Sequence, residues 1–294
     1  MAIFNLGSIN ADMTYRVPHL PGPGETLAAR SVDRGLGGKG ANMSVAAARA
    51  AARTIHIGAV GPDGGWAVER LMEYGVDTRH IVTCPSPTGH AIIAVDDAGE
   101  NQILLCPGAN HALGPLHLAA ALAEATEHDI FVFQNETTAG LDGARAARAQ
   151  GMRVVYAAAP FDVAAVTAVL PLIDMLVLNE VEAQQLSTAT GHAATDLPVR
   201  DVVITLGARG ARWVQSGTDT DLHIPPVPVT PVDTTGAGDT FTGYLIAGLD
   251  RGMPMQQALN QASLAAALMV TRQGTADVIP DLSEVQHARQ THPR

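Results

Sequence analysis

Val232-Asp233-Thr234-Thr235-Gly236-Ala237-Gly238-Asp239-Thr240-Phe241 marks a loop that turns into a helix. Two glycines and an alanine stand at the turn, an aspartate closes it, and an apolar run of small residues follows over 241–249. Successive N–H groups at a helix start, bare of large side chains, make a site for a multiply charged anion. A carboxylate is a poor ligand for that anion, because like charges repel. Asp239 makes better sense beside it, as a base taking the proton from a group that attacks a phosphate. The same residues also suit a plain glycine-rich N-cap with Asp239 favouring the helix dipole, so the rest of the chain decides.

With 294 residues the chain can bury a large core in one or two domains. It holds no run of about 18 apolar residues, so the sequence offers no membrane span. Residues 1–7 lack a basic stretch and read as a first strand rather than a signal peptide. The two cysteines, Cys84 and Cys106, have no metal-ligand spacing and fit a reduced, cytoplasmic protein. A net charge of −11 with scattered basic residues argues against a nucleic-acid surface. It leaves room for an anionic substrate, since local N–H groups and a lysine outweigh a distant negative field.

Short β-rich runs alternate with alanine-rich helical stretches, the pattern of a mostly parallel sheet covered by helices. Strands are predicted at 3–6, 54–60, 130–134, 154–158, 175–178 and 202–206. Helices are predicted at 41–52, 66–74, 116–125, 141–149, 180–186, 239–249 and 255–272. Two stretches break the rhythm. Residues 14–36 hold Pro18, Pro21 and Pro23 and show no helical period. Residues 89–105 read as a hairpin turning at Asp97-Ala98-Gly99-Glu100-Asn101. Both suit one small β-sheet set apart from the core as a lid, or two decorative insertions. No repeat is present, and only 292–294 read as a disordered tail.

Gly35-Leu36-Gly37-Gly38-Lys39-Gly40-Ala41-Asn42 contains G-x-G-x-x-G, but the polar segment 28–34 before it is no buried strand, which disfavours a dinucleotide site. It also fails as a Walker A loop, because Gly40 follows Lys39 where Ser or Thr belongs. What remains is a glycine-rich approach to a helix, with Lys39 and Asn42 at its mouth, or a flexible loop. Asn10 and Asp12 follow the first strand, at the end of a parallel sheet where ligands bind. A carboxylate and an amide there suit vicinal sugar hydroxyls; an Asx-turn is the plainer explanation. Asn179 and Glu182 share a face at a helix start and suit hydrated Mg²⁺ or a capping box. Thr205, Gly207 and Gly210 leave a strand through a glycine turn against which a nucleotide can rest; a hairpin turn explains them too.

Taken in order, these segments resemble the ribokinase-like (PfkB) sugar kinases over nearly the whole chain. Further matching pieces are Pro23-Gly24-Glu25-Thr26, Pro87-Thr88-Gly89, Gly108-Ala109-Asn110 and Val270-Thr271-Arg272. The resemblance implies a three-layer α/β/α core over residues 1–13, 37–87 and 107–294, with a mostly parallel sheet. Residues 14–36 and 88–106 then form a β lid that covers sugar and clasps a second subunit in a homodimer. It implies MgATP as donor and a sugar hydroxymethyl group as acceptor, with the 5-hydroxyl of D-ribose favoured. Position by position, Asp239 becomes the base, and Gly236, Ala237 and Gly238 the anion hole. Asn10, Asp12, Gly38, Lys39, Asn42 and Glu136 become the sugar site. Asn179, Thr205, Gly207, Gly210 and Gly238 face the nucleotide, and Asn179 and Glu182 hold Mg²⁺ through water. Asp233, Thr235 and carbonyls near Val270 hold an activating K⁺.

Two departures stand out. Val278 occupies a place where the family has a small hydroxyl residue near K⁺. Residues 187–200 are short and read as loop, which leaves a covering helix missing and a surface to be exposed or covered by another chain. Rival readings are a kinase for another sugar or a nucleoside, and a sugar-binding regulator without turnover. Few aromatics are available to stack a base, Tyr15 being the only one close behind Asp12. A regulator has no need for Asp239, Asn179 and Glu182 together.

Overall fold

The structure, a computed structural model, describes residues 1–291. The chain begins with β1 (Ile3–Leu6), β2 (Asn10–Arg16), β3 (Ser31–Gly37), α1 (Lys39–Arg49) and β4 (Thr54–Val60). It continues through α2 (Gly65–Glu73), β5 (Asp77–Thr83), β6 (Gly89–Val95), β7 (Asn101–Cys106), α3 (Pro115–Leu122) and β8 (Ile130–Phe133). Next come α4 (Gly140–Ala149), β9 (Arg153–Ala157), α5 (Val163–Val169), β10 (Met175–Asn179), α6 (Glu180–Thr190) and β11 (Asp201–Thr205). The last elements are β12 (Ala211–Gln215), β13 (Asp221–Ile224), α7 (Ala237–Asp250), α8 (Met255–Met269) and α9 (Leu282–Thr291).

Nine strands form one sheet in the order β13-β12-β11-β10-β9-β8-β1-β4-β5. Pairs from β11 through to β5 are parallel, and the β12 and β13 edge is antiparallel. Alternate side chains of each central strand enter opposite layers. Ile130 and Val132 pack with α1, α2, α7 and α8, whereas Phe131 and Phe133 pack with α3 to α6. Helices therefore cover both faces, the three-layer α/β/α core expected. A second sheet, in the order β3-β2-β6-β7, joins the two stretches that break the sequence rhythm. Its central pair β2/β6 is parallel and the two outer pairs are antiparallel. The β6–β7 turn is held by Asp96, whose carboxylate accepts from the N–H groups of Ala98 (2.9 Å) and Glu100 (3.0 Å).

The polar segment before Gly37 is a strand after all, β3, but an exposed edge strand of the smaller sheet and not a core strand. The helix expected at 180–186 runs on to Thr190 and stops at Gly191, whose positive φ of 74° ends it. The segment after it does not leave the core bare. Ala194, Leu197 and Val199 turn inward and are buried, covering the sheet with a single 3₁₀ turn (Ala194–Asp196) and no further α-helix. The sequence reading had no place for β5, the β12–β13 hairpin, α5 or α9. Residues 292–294, read as a tail, lie outside the described residues. Among the described residues no helix is long and apolar enough to cross a membrane.

Candidate active site

The quoted loop enters α7 through Gly236 at φ 77°, where a Cβ would come within 2.9 Å of the Met269 methyl. That left-handed turn starts α7 just before Asp239, and the Ala237 N–H donates back to the Thr234 carbonyl at 3.2 Å. Asp239 is 8% exposed, and Asn42 on α1 donates its side-chain amide to the carboxylate at 2.9 Å. The other side of that amide, Asn42 Oδ1, is buried without a partner among the described residues. Burial pushes the Asp239 carboxyl up to about 6; Lys39 and the Asn42 hydrogen bond oppose this, and Glu136 and Glu182 add to it.

The neighbouring cluster brings β2, α1 and the end of β8 together. The side chain of Asp12 occupies the space that any Cβ on Gly37 would need, so a glycine there admits the carboxylate. Burial, then Glu136 and Asp239, push Asp12 up to about 7 against the pull of Lys39. Lys39 lies 3.7 Å from Glu136, whose carboxylate also accepts the Lys39 backbone N–H at 3.0 Å and the Ser8 hydroxyl. Burial alone would lower the Lys39 ammonium; the charges of Asp239, Glu136 and Glu182 outweigh it and hold the group above its ordinary value. Three carboxylates around one cation make a polar, anionic hollow suited to hydroxyl groups. Gly38, at φ 92°, caps α1 and lies against the backbone of Ser8 and Asn10. Asn10 sits deeper, with Oδ1 accepting from Asn110 at 2.7 Å while Asn110 Oδ1 accepts the Ile9 N–H at 2.9 Å.

Asn179 and Glu182 form a full capping box: Asn179 Oδ1 accepts the Glu182 N–H at 2.8 Å, and Glu182 accepts the Asn179 N–H at 2.7 Å. Burial raises the Glu182 carboxyl, offset in part by the Asn179 N–H and by Lys39. No group of three or more His, Cys, Asp or Glu side chains among the described residues can hold a metal alone. Beyond α7 opens a mostly apolar cavity of about 450 Å³, whose lining includes Thr205, Gly207, Gly210, Gly238, Phe241 and Val270. Gly210, at φ 90°, has its Cβ position filled by the Ile224 carbonyl.

The loop before α7 is tied at Asp233. Its carboxylate accepts the N–H groups of Thr235 (2.9 Å) and Gly274 (3.3 Å). The Val270 carbonyl already accepts two N–H groups, from Val232 (2.7 Å) and Asp233 (3.1 Å), which leaves it little capacity for a cation. Val278 packs partly buried against the core. The sequence reading assigned no role to Ser8, Asn110, Phe241 or the cavity wall at Pro226 and Val227. Ser8 and Asn110 lay within motifs already singled out; the wall residues lie in a proline-rich connection with no period to betray them.

The pfkB family carbohydrate kinase model matches residues 2–282. A ribokinase of Haemophilus influenzae is 35% identical over 294 residues, 95% of each chain. A deoxyribokinase of Salmonella typhi is 28% identical, covering 97% of each chain. The structure of Arabidopsis thaliana ribokinase complexed with ribose and ATP matches with a TM-score of 0.84 at 28% identity, over 98% of each chain. The order of motifs, the layered fold and these relatives agree, and the chain belongs to the pfkB family of carbohydrate kinases.

Proposed function

We propose that this protein transfers the γ-phosphoryl group of ATP to the 5-hydroxyl of D-ribose. The observation that carries the reading is Asp239: a buried carboxylate, held by Asn42, in the first turn of a helix that opens on Gly236-Ala237-Gly238. The Arabidopsis enzyme, solved with ribose and ATP, supports both substrates. Asp12, Lys39, Asn42 and Glu136 hold the sugar from several sides, with Gly38 letting the backbone approach and Asn10 anchoring the floor. The cavity beside Thr205, Gly207 and Gly210 takes the nucleotide. Asp239 accepts the hydroxyl proton as its oxygen attacks in line. The amides of Gly236 and Gly238 hold the charge spread over the transferring group, and that of Ala237, which donates to the Thr234 carbonyl here, joins them only by giving up that bond.

Glu182 and Asn179 would hold a nucleotide-bound Mg²⁺ through its waters, and the ion would supply neutralisation of phosphate charge. K⁺ is proposed at Asp233 and Thr235, with carbonyls other than that of Val270. Closure of the smaller sheet over the sugar excludes water as a competing acceptor. The expected cover, residues 14–36 and 88–106, widens at the first piece, because β2 starts at Asn10 and β3 runs to Gly37 in the smaller sheet; the rest of 1–13, 37–87 and 107–294 supplies the core. Two copies join through this sheet, whose edge strand β7 exposes Ile103, Leu104 and Leu105. Localisation in the cytoplasm goes with free cysteines at 84 and 106.

The deoxyribokinase relative favours 2-deoxyribose as a second acceptor. A coupled assay with MgATP against pentoses, 2-deoxyribose, hexoses and nucleosides tests the reading. Ribose is expected to give the highest kcat/KM. A nucleoside preference, or no turnover with any sugar, overturns it.

A further inference from the structure

Beneath the proposed pocket lies a group of polar side chains almost wholly removed from solvent. Asn5, Ser44, His56 and Gln134 are at most 1% exposed, in the middle of an otherwise apolar core. Buried polar groups are costly unless matched, and here they form a connected run. Gln134 Nε2 donates to Asn5 Oδ1 at 2.8 Å, and Asn5 Nδ2 donates to both Ser44 Oγ and the Gly40 carbonyl at 2.8 Å. Ser44 Oγ lies 2.8 Å from His56 Nδ1, and His56 Nε2 lies 3.2 Å from the Gly7 carbonyl.

Chemistry fixes the direction of every bond in this run. The Gly7 carbonyl only accepts, so His56 Nε2 carries the proton. Burial pushes His56 down to about 4, so at neutral pH the ring is uncharged and Nδ1 accepts. The Ser44 hydroxyl therefore donates to Nδ1, and its oxygen receives the Asn5 amide. The two ends of the run, Gly7 and Gly40, also touch each other: a Cβ on either would lie 2.4 Å from the Cα of the other. A closed ring results, linking the end of β1 to the start of α1 through β4. Its neighbours are the pocket residues. Ser8 follows Gly7 and bonds Glu136, Lys39 precedes Gly40, and Gln134 stands two residues before Glu136.

We propose that Asn5, Ser44, His56 and Gln134 are positioning residues of the sugar pocket, which hold Gly7 against Gly40 and so set the spacing of Ser8, Lys39 and Glu136. This rests on the sugar-kinase reading. The nucleotide cavity lies against α7, α8 and β11, elements the ring does not bond, so the two substrates should respond differently.

The test is steady-state kinetics on the full chain carrying Ser44→Ala, with Ser44→Cys as a second variant that keeps the volume. Ser44→Ala leaves His56 Nδ1 and one Asn5 amide proton unpartnered, and Ser44→Cys replaces both bonds by weaker ones to sulfur. The ribose KM should rise about 10-fold with the ATP KM within about two-fold of wild type. ¹⁵N NMR of wild-type His56 should show the neutral Nε2–H form at the assay pH. A lower melting temperature with the ribose KM unchanged, equal rises in both KM values, or a protonated His56 at neutral pH overturns the proposal. A wild type that phosphorylates no sugar overturns the kinase reading itself, and the proposal with it.

Discussion

Asn42 donates its side-chain amide to the Asp239 carboxylate at 2.9 Å, across 197 positions of sequence. The bond joins α1, which begins at the glycine-rich loop, to α7, which begins at the Gly236 turn. It orients the carboxylate by one oxygen. Asn42 Oδ1 is buried and has no partner among the described residues, and on the proposed function it accepts from a sugar hydroxyl.

Removal of that acceptor, or of Asp12, should weaken sugar binding far more than nucleotide binding. Asn42→Ala and Asp12→Ala each leave sugar hydroxyls unpaired in a closed site, a loss of about 1–3 kcal/mol. Titration calorimetry with ribose and with a nonhydrolysable ATP analogue separates the effects. Equal losses for both ligands contradict a sugar site at these residues.

The raised carboxyls at Asp239 (about 6) and Asp12 (about 7) set a pH dependence. The base must be ionised, so kcat/KM should climb with pH through 6 to 7 and then level off. Asp12→Asn should move the upper part of that climb down toward 6. Stability should change in the opposite sense. The folded state holds the Asp239 proton more tightly than the unfolded chain does, so this group costs stability as pH rises from about 4 to 6 and above. The shift is worth on the order of 3 kcal/mol. Asp239→Asn should therefore melt higher than wild type at pH 8, with the gain gone near pH 3.5. A lower melting temperature at pH 8 contradicts the buried charge.

The residues of the proposed phosphate and sugar sites stood out in sequence as glycines and carboxylates at strand and helix ends. Asp239, Asp12, Lys39 and Glu136 come together as the motif order implies. The core strands were readable as well, since burial on both faces leaves continuous apolar runs such as Ile130-Phe131-Val132-Phe133. The half-exposed elements were not. Strand β5 reads Asp-Thr-Arg-His-Ile-Val-Thr, and its charged residues pair on the surface, as Arg79 does with Asp77 and Glu124. Helix α5 spans only seven residues, and its one clear start signal is Asp162, which accepts the Ala165 N–H at 2.8 Å. The ring at Asn5, Ser44 and His56 was invisible for another reason: its members come from three elements with no shared spacing, and only the fold places them together.

Activation by K⁺ over Na⁺ is expected through Asp233 and Thr235. The ion would stiffen the backbone whose amides face phosphate, without touching substrate. An increase in kcat with K⁺ from zero to high concentration checks this. A flat response shows that Val278, together with the occupied Val270 carbonyl, has removed the site.

The strand register divides the apolar residues of the smaller sheet. Ile93, Ile103 and Leu105 share the face of Asp12, while Ile92 and Leu104 lie on the opposite face. Light scattering of Ile93→Asp, Ile103→Asp and Leu104→Asp tests the dimer and reports which face it uses. The wild type should be dimeric at micromolar concentration, and a charge on the joined face should yield monomers. A monomeric wild type, or a dimer indifferent to all three charges, contradicts association through this sheet.

The turnover of Asp239→Asn with MgATP and ribose tests the central claim most directly. The account predicts a kcat lower by about 10²–10⁴-fold, since the base and its orientation are lost while the anion hole and both binding sites remain. A variant that keeps more than half of the wild-type rate contradicts Asp239 as the base.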